Sequence, residues 1–127
     1  MTALVLDAGA LIAVDRNDRA MIARLRIAQL HGYDLRTSAI VISQVWRSPV
    51  GKQARLARLL SAMDVRPVDE QMGRDAGLLL RRTGTEDPID ATVVLVSRTG
   101  DRILTSDPGD IGHLASRSGR RIVVVAC

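Results

Sequence analysis

The chain has 127 residues, which suits one domain with a modest core, and a single cysteine, Cys127, which excludes an internal disulfide or a cysteine-rich zinc site and fits a reducing cytoplasm. Apolar residues make up 46% of it and aromatic residues only 2%, so the core must be aliphatic and no platform of aromatic rings for stacking bases can be assembled. The net charge of +4 is carried almost wholly by arginine, Lys52 being the only lysine, and such a surface is either simply solvated or meets a polyanion or an acidic partner protein.

The predicted elements follow in chain order. "ALVL" before Asp7 is a short apolar run without alternation, as in a strand buried on both faces. The acid breaks the apolar start, so no signal peptide is expected, and nowhere does an apolar stretch approach the roughly 20 residues of a membrane span. "AGALIAV" reads as a short helix ending near Asp15. "NDRAMIARLRIAQLHG" places Met21, Ile22, Leu25 and Leu30 on one side of an amphipathic helix that stops at Gly32. "LRTSAIVISQVWR" carries a brief strand and then a helix capped by Thr37 or Ser38, and "KQARLARLLSAM" is a further amphipathic helix. "DVRPV" is a short strand. "DEQMGRDAGLLLRRTG" opens on acids and closes on Arg81, Arg82 and Gly84, in the sense the helix dipole favours. "PIDATVVLVSRTG" is another helix, "DRILTS" a strand, "PGDIGHLASRSG" a helix and "RRIVVVA" the last strand.

Strands alternating with helices imply a single α/β domain over residues 1–127 with a parallel central sheet. In such sheets ligands gather outside the carboxyl ends of the strands. Asp7 and Asp107 each follow a strand at that edge. Asp87–Asp90 and Asp107–Asp110 both read D-P-x-D, a pattern that starts helices well, since Asp caps and Pro suits the first helical position. Asp7, Asp90 and Asp107 come from three separate places in the chain. Gathered together they would repel unless a cation held them, and oxygen-only ligands select a hard ion such as magnesium or manganese.

Four blocks, "VLDAGALIA", "SAIVISQVWR", "DPIDATVVLV" and "RILTSDPGDI", resemble in order and spacing those of a PIN domain, and most nearly the VapC-type toxins of bacterial toxin–antitoxin pairs. The resemblance spans essentially the whole chain. It implies a three-layer α/β/α fold, a homodimer, and a cytoplasmic endoribonuclease dependent on magnesium or manganese and neutralised by a VapB-type antitoxin. Carried over by position, Asp7, Asp90 and Asp107 are the catalytic and metal-holding acids. The family's second acid, a glutamate, is here Gln44, which keeps the acceptor oxygen and loses the charge.

Other residues are candidates for supporting roles. Asp87 and Asp110 are either caps or auxiliary acids that replace the charge missing at Gln44. Arg47, on the helix face of Gln44, could hold phosphate; Thr105 and Ser106 could hydrogen-bond a water or a phosphate, or satisfy the turn backbone. Trp46 is expected to pack, and His31, His113 and Cys127 to be structural or inert. Three function classes follow: a ribonuclease toxin, a PIN-like binding module weakened by Gln44 that acts through a partner, and a receiver-like phosphoacceptor domain. The last needs a lysine beside the acids, and Lys52 stands in the wrong kind of segment.

Overall fold

The computed structural model describes residues 1–127. Five strands, β1 (Ala3–Leu6), β2 (Asp34–Ser38), β3 (Asp64–Arg66), β4 (Arg102–Thr105) and β5 (Val123–Ala126), form one sheet in the order β3-β2-β1-β4-β5. Every pairing is parallel, as the alternation of strands with helices predicts. β1 is central and buried throughout.

Seven helices complete the chain: α1 (Ala8–Asp15), α2 (Arg19–Leu30), α3 (Ala39–Ile42), α4 (Ala54–Ser61), α5 (Glu70–Thr83), α6 (Pro88–Leu95) and α7 (Pro108–Ser116). They pack in two groups, α1 with α2 and α4, and α6 with α3, α5 and α7. With the sheet between them this is the expected three-layer α/β/α arrangement. Its core is aliphatic, built on Val5, Leu6, Leu11, Leu56, Leu79, Val93, Ile103 and Leu104.

Local chemistry sets most boundaries. Asp18 caps α2 by accepting from Met21 N at 3.0 Å, and Asp69 caps α5 by accepting from Met72 N at 2.8 Å. Gly84 ends α5 at φ +67°, a conformation that residues with a Cβ adopt reluctantly.

Two helices stop sooner than their apolar pattern predicts. α6 ends at Leu95 because arginines from elsewhere take its last carbonyls: Arg120 Nη1 donates to Leu95 O at 2.7 Å and Ser97 O at 2.8 Å, and Arg36 Nη1 to Val96 O at 3.0 Å. The predicted helix through Trp46 and Arg47 is only one turn, α3, continued by a tightened turn in which Ser43, Gln44 and Val45 donate to carbonyls three residues back. Gln53 then captures the backbone, its Oε1 accepting from Arg47 N and Ser48 N at 2.8 and 2.9 Å. Pro49 further disfavours helical geometry at Ser48.

Beneath the sheet lies a buried ionic cluster with no counterpart among the sequence expectations. Arg36, 3% exposed, reaches Asp64 Oδ2 through Nε and Asp101 Oδ2 through Nη1, both at 2.9 Å. Asp101, equally buried, also accepts from Ala3 N at 2.8 Å and Arg98 N at 2.7 Å. One cluster thus joins four strands and the end of α6 at the amino edge of the sheet. The opposite, carboxyl edge carries the acids.

Candidate metal centre

Asp7 follows β1 directly, so the strand delivers its carboxylate to the carboxyl edge. It is only 6% exposed, and both its oxygens are engaged. Oδ1 accepts from Ala8 N at 2.8 Å at the start of α1, and Oδ2 accepts from Thr105 Oγ1 at 2.7 Å. Thr105, the last residue of β4 and fully buried, accepts through the same hydroxyl from Asp107 N at 2.9 Å. A single hydroxyl therefore couples the carboxylate after β1 to the backbone of the acid after β4.

The approach of those two segments depends on Gly9. A Cβ there would lie 2.7 Å from Ser106 Oγ and 3.0 Å from Ser106 Cβ. Glycine lets the first turn of α1 and the β4–α7 turn close on each other, a role not read from the sequence, where Gly9 is simply one small residue in an apolar run.

The two D-P-x-D segments separate into caps and free acids. Asp87 is a cap: its Oδ1 accepts from Ile89 N at 2.9 Å and Asp90 N at 3.1 Å, with Pro88 opening α6. Asp107 precedes α7 but makes no capping hydrogen bond. Asp90, Asp107 and Asp110 each offer a carboxylate oxygen, and these atoms all lie within 4.8 Å of one another. Asp110, one turn into α7, thus joins Asp90 and Asp107 in the tightest group, while Asp7 stands beside it, its oxygens held by Thr105 and the α1 backbone.

The electrostatics match that crowding. The Asp90 carboxyl is pushed up to about 7, first by burial and then by the charges of Asp87, Asp7, Asp107 and Asp110. Asp110 is also raised, chiefly by a hydrogen bond to Asp107 and by that neighbour's charge. Four acids from three parts of the fold therefore act on Asp90 together.

The remaining candidates are placed as follows. Gln44 sits in the turn after α3, which packs on α6, and its Oε1 is buried without a hydrogen-bond partner. Arg47 does not share a helix face with it; the guanidinium turns back to donate to Ser43 O and Trp46 O, both at 2.8 Å, and so closes the turn. Ser106 is exposed against Gly9. Trp46, expected to pack, is 38% exposed. His113 Nε2 lies 2.9 Å from Thr83 O, joining α7 to the end of α5 as a structural residue.

The donor set suits a hard cation: three carboxylates, no nitrogen or sulfur ligand, and an orphaned amide oxygen on a neighbouring element.

No sequence-family profile and no curated protein matches the chain. Among solved structures it is similar to a chain of VapBC2 from Rickettsia felis, determined bound to a DNA fragment from their promoter, with a TM-score of 0.71 over 99% of both chains at 11% identity. The all-parallel five-stranded sheet between two helical layers, together with this superposition, establishes that the chain has the PIN-like α/β/α fold of the VapBC2 protein.

Proposed function

We propose that the chain is a metal-dependent endoribonuclease of the VapC toxin type, held inactive by a cognate antitoxin in the cytoplasm. The observation that carries this reading is the convergence of Asp90, Asp107 and Asp110, with Asp7 locked beside them, at the carboxyl edge of a parallel sheet. Structural likeness to a two-component VapBC2 complex supports the antitoxin partner. No helix is long and apolar enough to cross a membrane.

In this reading Asp7, Asp90 and Asp107 hold magnesium or manganese, and Asp110 adds the charge that Gln44 does not carry. When bound, such an ion supplies positive charge to a scissile phosphate and lowers the pKa of water. The protein's own part is placement. Thr105 fixes the rotamer of Asp7, and Asp87 holds the first turn of α6 that presents Asp90. The net charge of +4, carried almost wholly by arginine, favours RNA through its phosphates. Exposed Ile40, Trp46 and Leu78 provide apolar surface for a homodimer.

The test is cleavage of RNA in manganese or magnesium. Asp7→Asn should abolish most cleavage in a protein that still folds, and sequencing the RNA ends would identify the substrate. Undiminished cleavage by Asp7→Asn would remove Asp7 from the mechanism.

Gln44 supports a second reading, a PIN-like module with weakened catalysis that works by binding, because it sets a neutral side chain where the family resemblance expects an acid. Gln44→Glu separates the two. If its oxygen reaches the ion, the added charge should tighten manganese binding by about 1–2 kcal/mol at an effective dielectric appropriate to a protein surface. Equal affinities by calorimetry would place the residue beyond the ion's reach.

A further inference from the structure

A second surface, which shares no residue with the acid group, lies on the face of the sheet that carries α1 and α2. There a trough of about 260 Å³ opens between α2 and strands β4 and β5. Its floor is aliphatic, formed by Leu4, Leu104 and Val125, and Ile27 forms part of its wall. The apolar surface continues beyond it. Ile27 is 53% exposed, Leu30 one turn along α2 is 79% exposed, and Val123, two residues before Val125 on the same face of β5, is 53% exposed. On the other face of the sheet α7 packs against β5; on this face the outer strand lacks its helix.

The trough is also charged with one sign. Arg24 and Arg102 stand on its rim with His31, no acid lines it, and neither guanidinium enters an ion pair. Arg102 lies 5.9 Å from the centroid of the Tyr33 ring, which holds its stem against the wall.

We propose that this trough receives an acidic amphipathic helix of a partner protein. Such a helix fills the missing place in the layer, sets its apolar stripe on Val125 and Ile27, and brings carboxylates to Arg24 and Arg102. Other occupants fit less well. A second copy related by a two-fold axis through this patch would set Arg24 and Arg102 against their own equivalents. Single-stranded nucleic acid calls for exposed aromatic faces, whereas the floor is aliphatic and the one tyrosine is already paired with Arg102. The proposal is independent of the nuclease reading, because the trough and the acid cluster share no residue.

The probe is a fluorescein-labelled designed helix of three to four turns, with leucines on one face and glutamates flanking them, titrated into the full chain. Anisotropy measures affinity, and amide shifts locate the site. The expected result is saturable binding with shifts at Ile27, Arg102 and Val125, weakened at least tenfold by Arg24→Glu with Arg102→Glu and by Ile27→Ser alone. The variants' circular dichroism and manganese affinity should be unchanged, and a lysine version of the peptide should not bind. The proposal is overturned by absence of saturable binding or by shifts confined to the groove of Arg26, Arg55 and Arg58. It is equally overturned by displacement of the peptide from these amides by a single-stranded RNA of similar length, or by a wild-type dimer that Ile27→Ser converts to monomer.

Discussion

Thr105 shows how one side chain can govern a constellation it need not complete. Its hydroxyl donates to Asp7 Oδ2 and accepts from Asp107 N, so it sets a rotamer on one segment and a backbone position on another. Thr105→Val keeps the shape and leaves a buried carboxylate oxygen and an amide without partners. The expected loss of stability is about 1–3 kcal/mol, read from urea unfolding. Manganese affinity should fall with it, and Thr105→Ser should restore both. A valine variant as stable as the wild type would show that water replaces the hydroxyl and that the coupling is dispensable.

At the scale of elements, the two ends of the sheet are held by opposite means. The carboxyl edge gathers acids that repel one another. The amino edge is tied by Arg36, whose two ionic partners, Asp64 and Asp101, belong to the β3 and β4 segments. Breaking a buried pair while leaving one charge behind is far more destabilising than exchanging the pair for apolar residues. Asp101→Ala should therefore lower stability by about 3–5 kcal/mol. It also strips Ala3 N and Arg98 N of their acceptor. Denaturant melts of Asp101→Ala and of the double variant Arg36→Met with Asp101→Leu provide the check: the double variant should recover much of the loss. The Asp64 carboxyl adds a pH signature. Burial raises it, but the hydrogen bonds and charges of Arg36 and Arg66 together hold it below its ordinary value. Its contribution is therefore present above the unfolded pKa and disappears as pH falls through the lower folded one.

Across the whole molecule the acid cluster has the opposite pH dependence. Asp90 binds its proton more strongly folded, at about 7, than unfolded, at the ordinary carboxylate value near 4. Between these values the native state holds more protons than the unfolded state, so stability falls as pH rises. Metal-free protein should thus lose thermal stability from pH 4 to pH 7 through this group. Asp90→Asn should flatten that slope and raise the melting temperature above pH 7. Manganese should reverse the trend in the wild type, since the ion competes with the proton and gains affinity as pH rises. Parallel melting curves for wild type and Asp90→Asn across this range would show that Asp90 is not the strained group.

What the sequence by itself determined is the architecture and the edge on which the acids stand. Strands alternating with helices implied a parallel sheet, the unalternating run ALVL read as a strand buried on both faces, and Asp7 and Asp107 stand just past the ends of two strands. Helix-end chemistry is local, so the acidic opening at Asp69 and the stop at Gly84 were readable from a few neighbouring residues. Whether an acid caps or stays free was not readable in the same way. Asp87 and Asp107 occupy the same D-P-x-D pattern, yet only Asp87 caps, while the Asp107 carboxylate groups with those of Asp90 and Asp110. The early ends of α3 and α6 escaped a local reading for a similar reason. Their terminal backbone groups are satisfied by Gln53, Arg36 and Arg120, residues distant along the chain that periodicity does not weigh. The cluster of Arg36, Asp64 and Asp101 and the approach allowed by Gly9 are likewise products of tertiary structure. Both depend on distances between segments far apart in sequence, and those distances exist only once the sheet has formed.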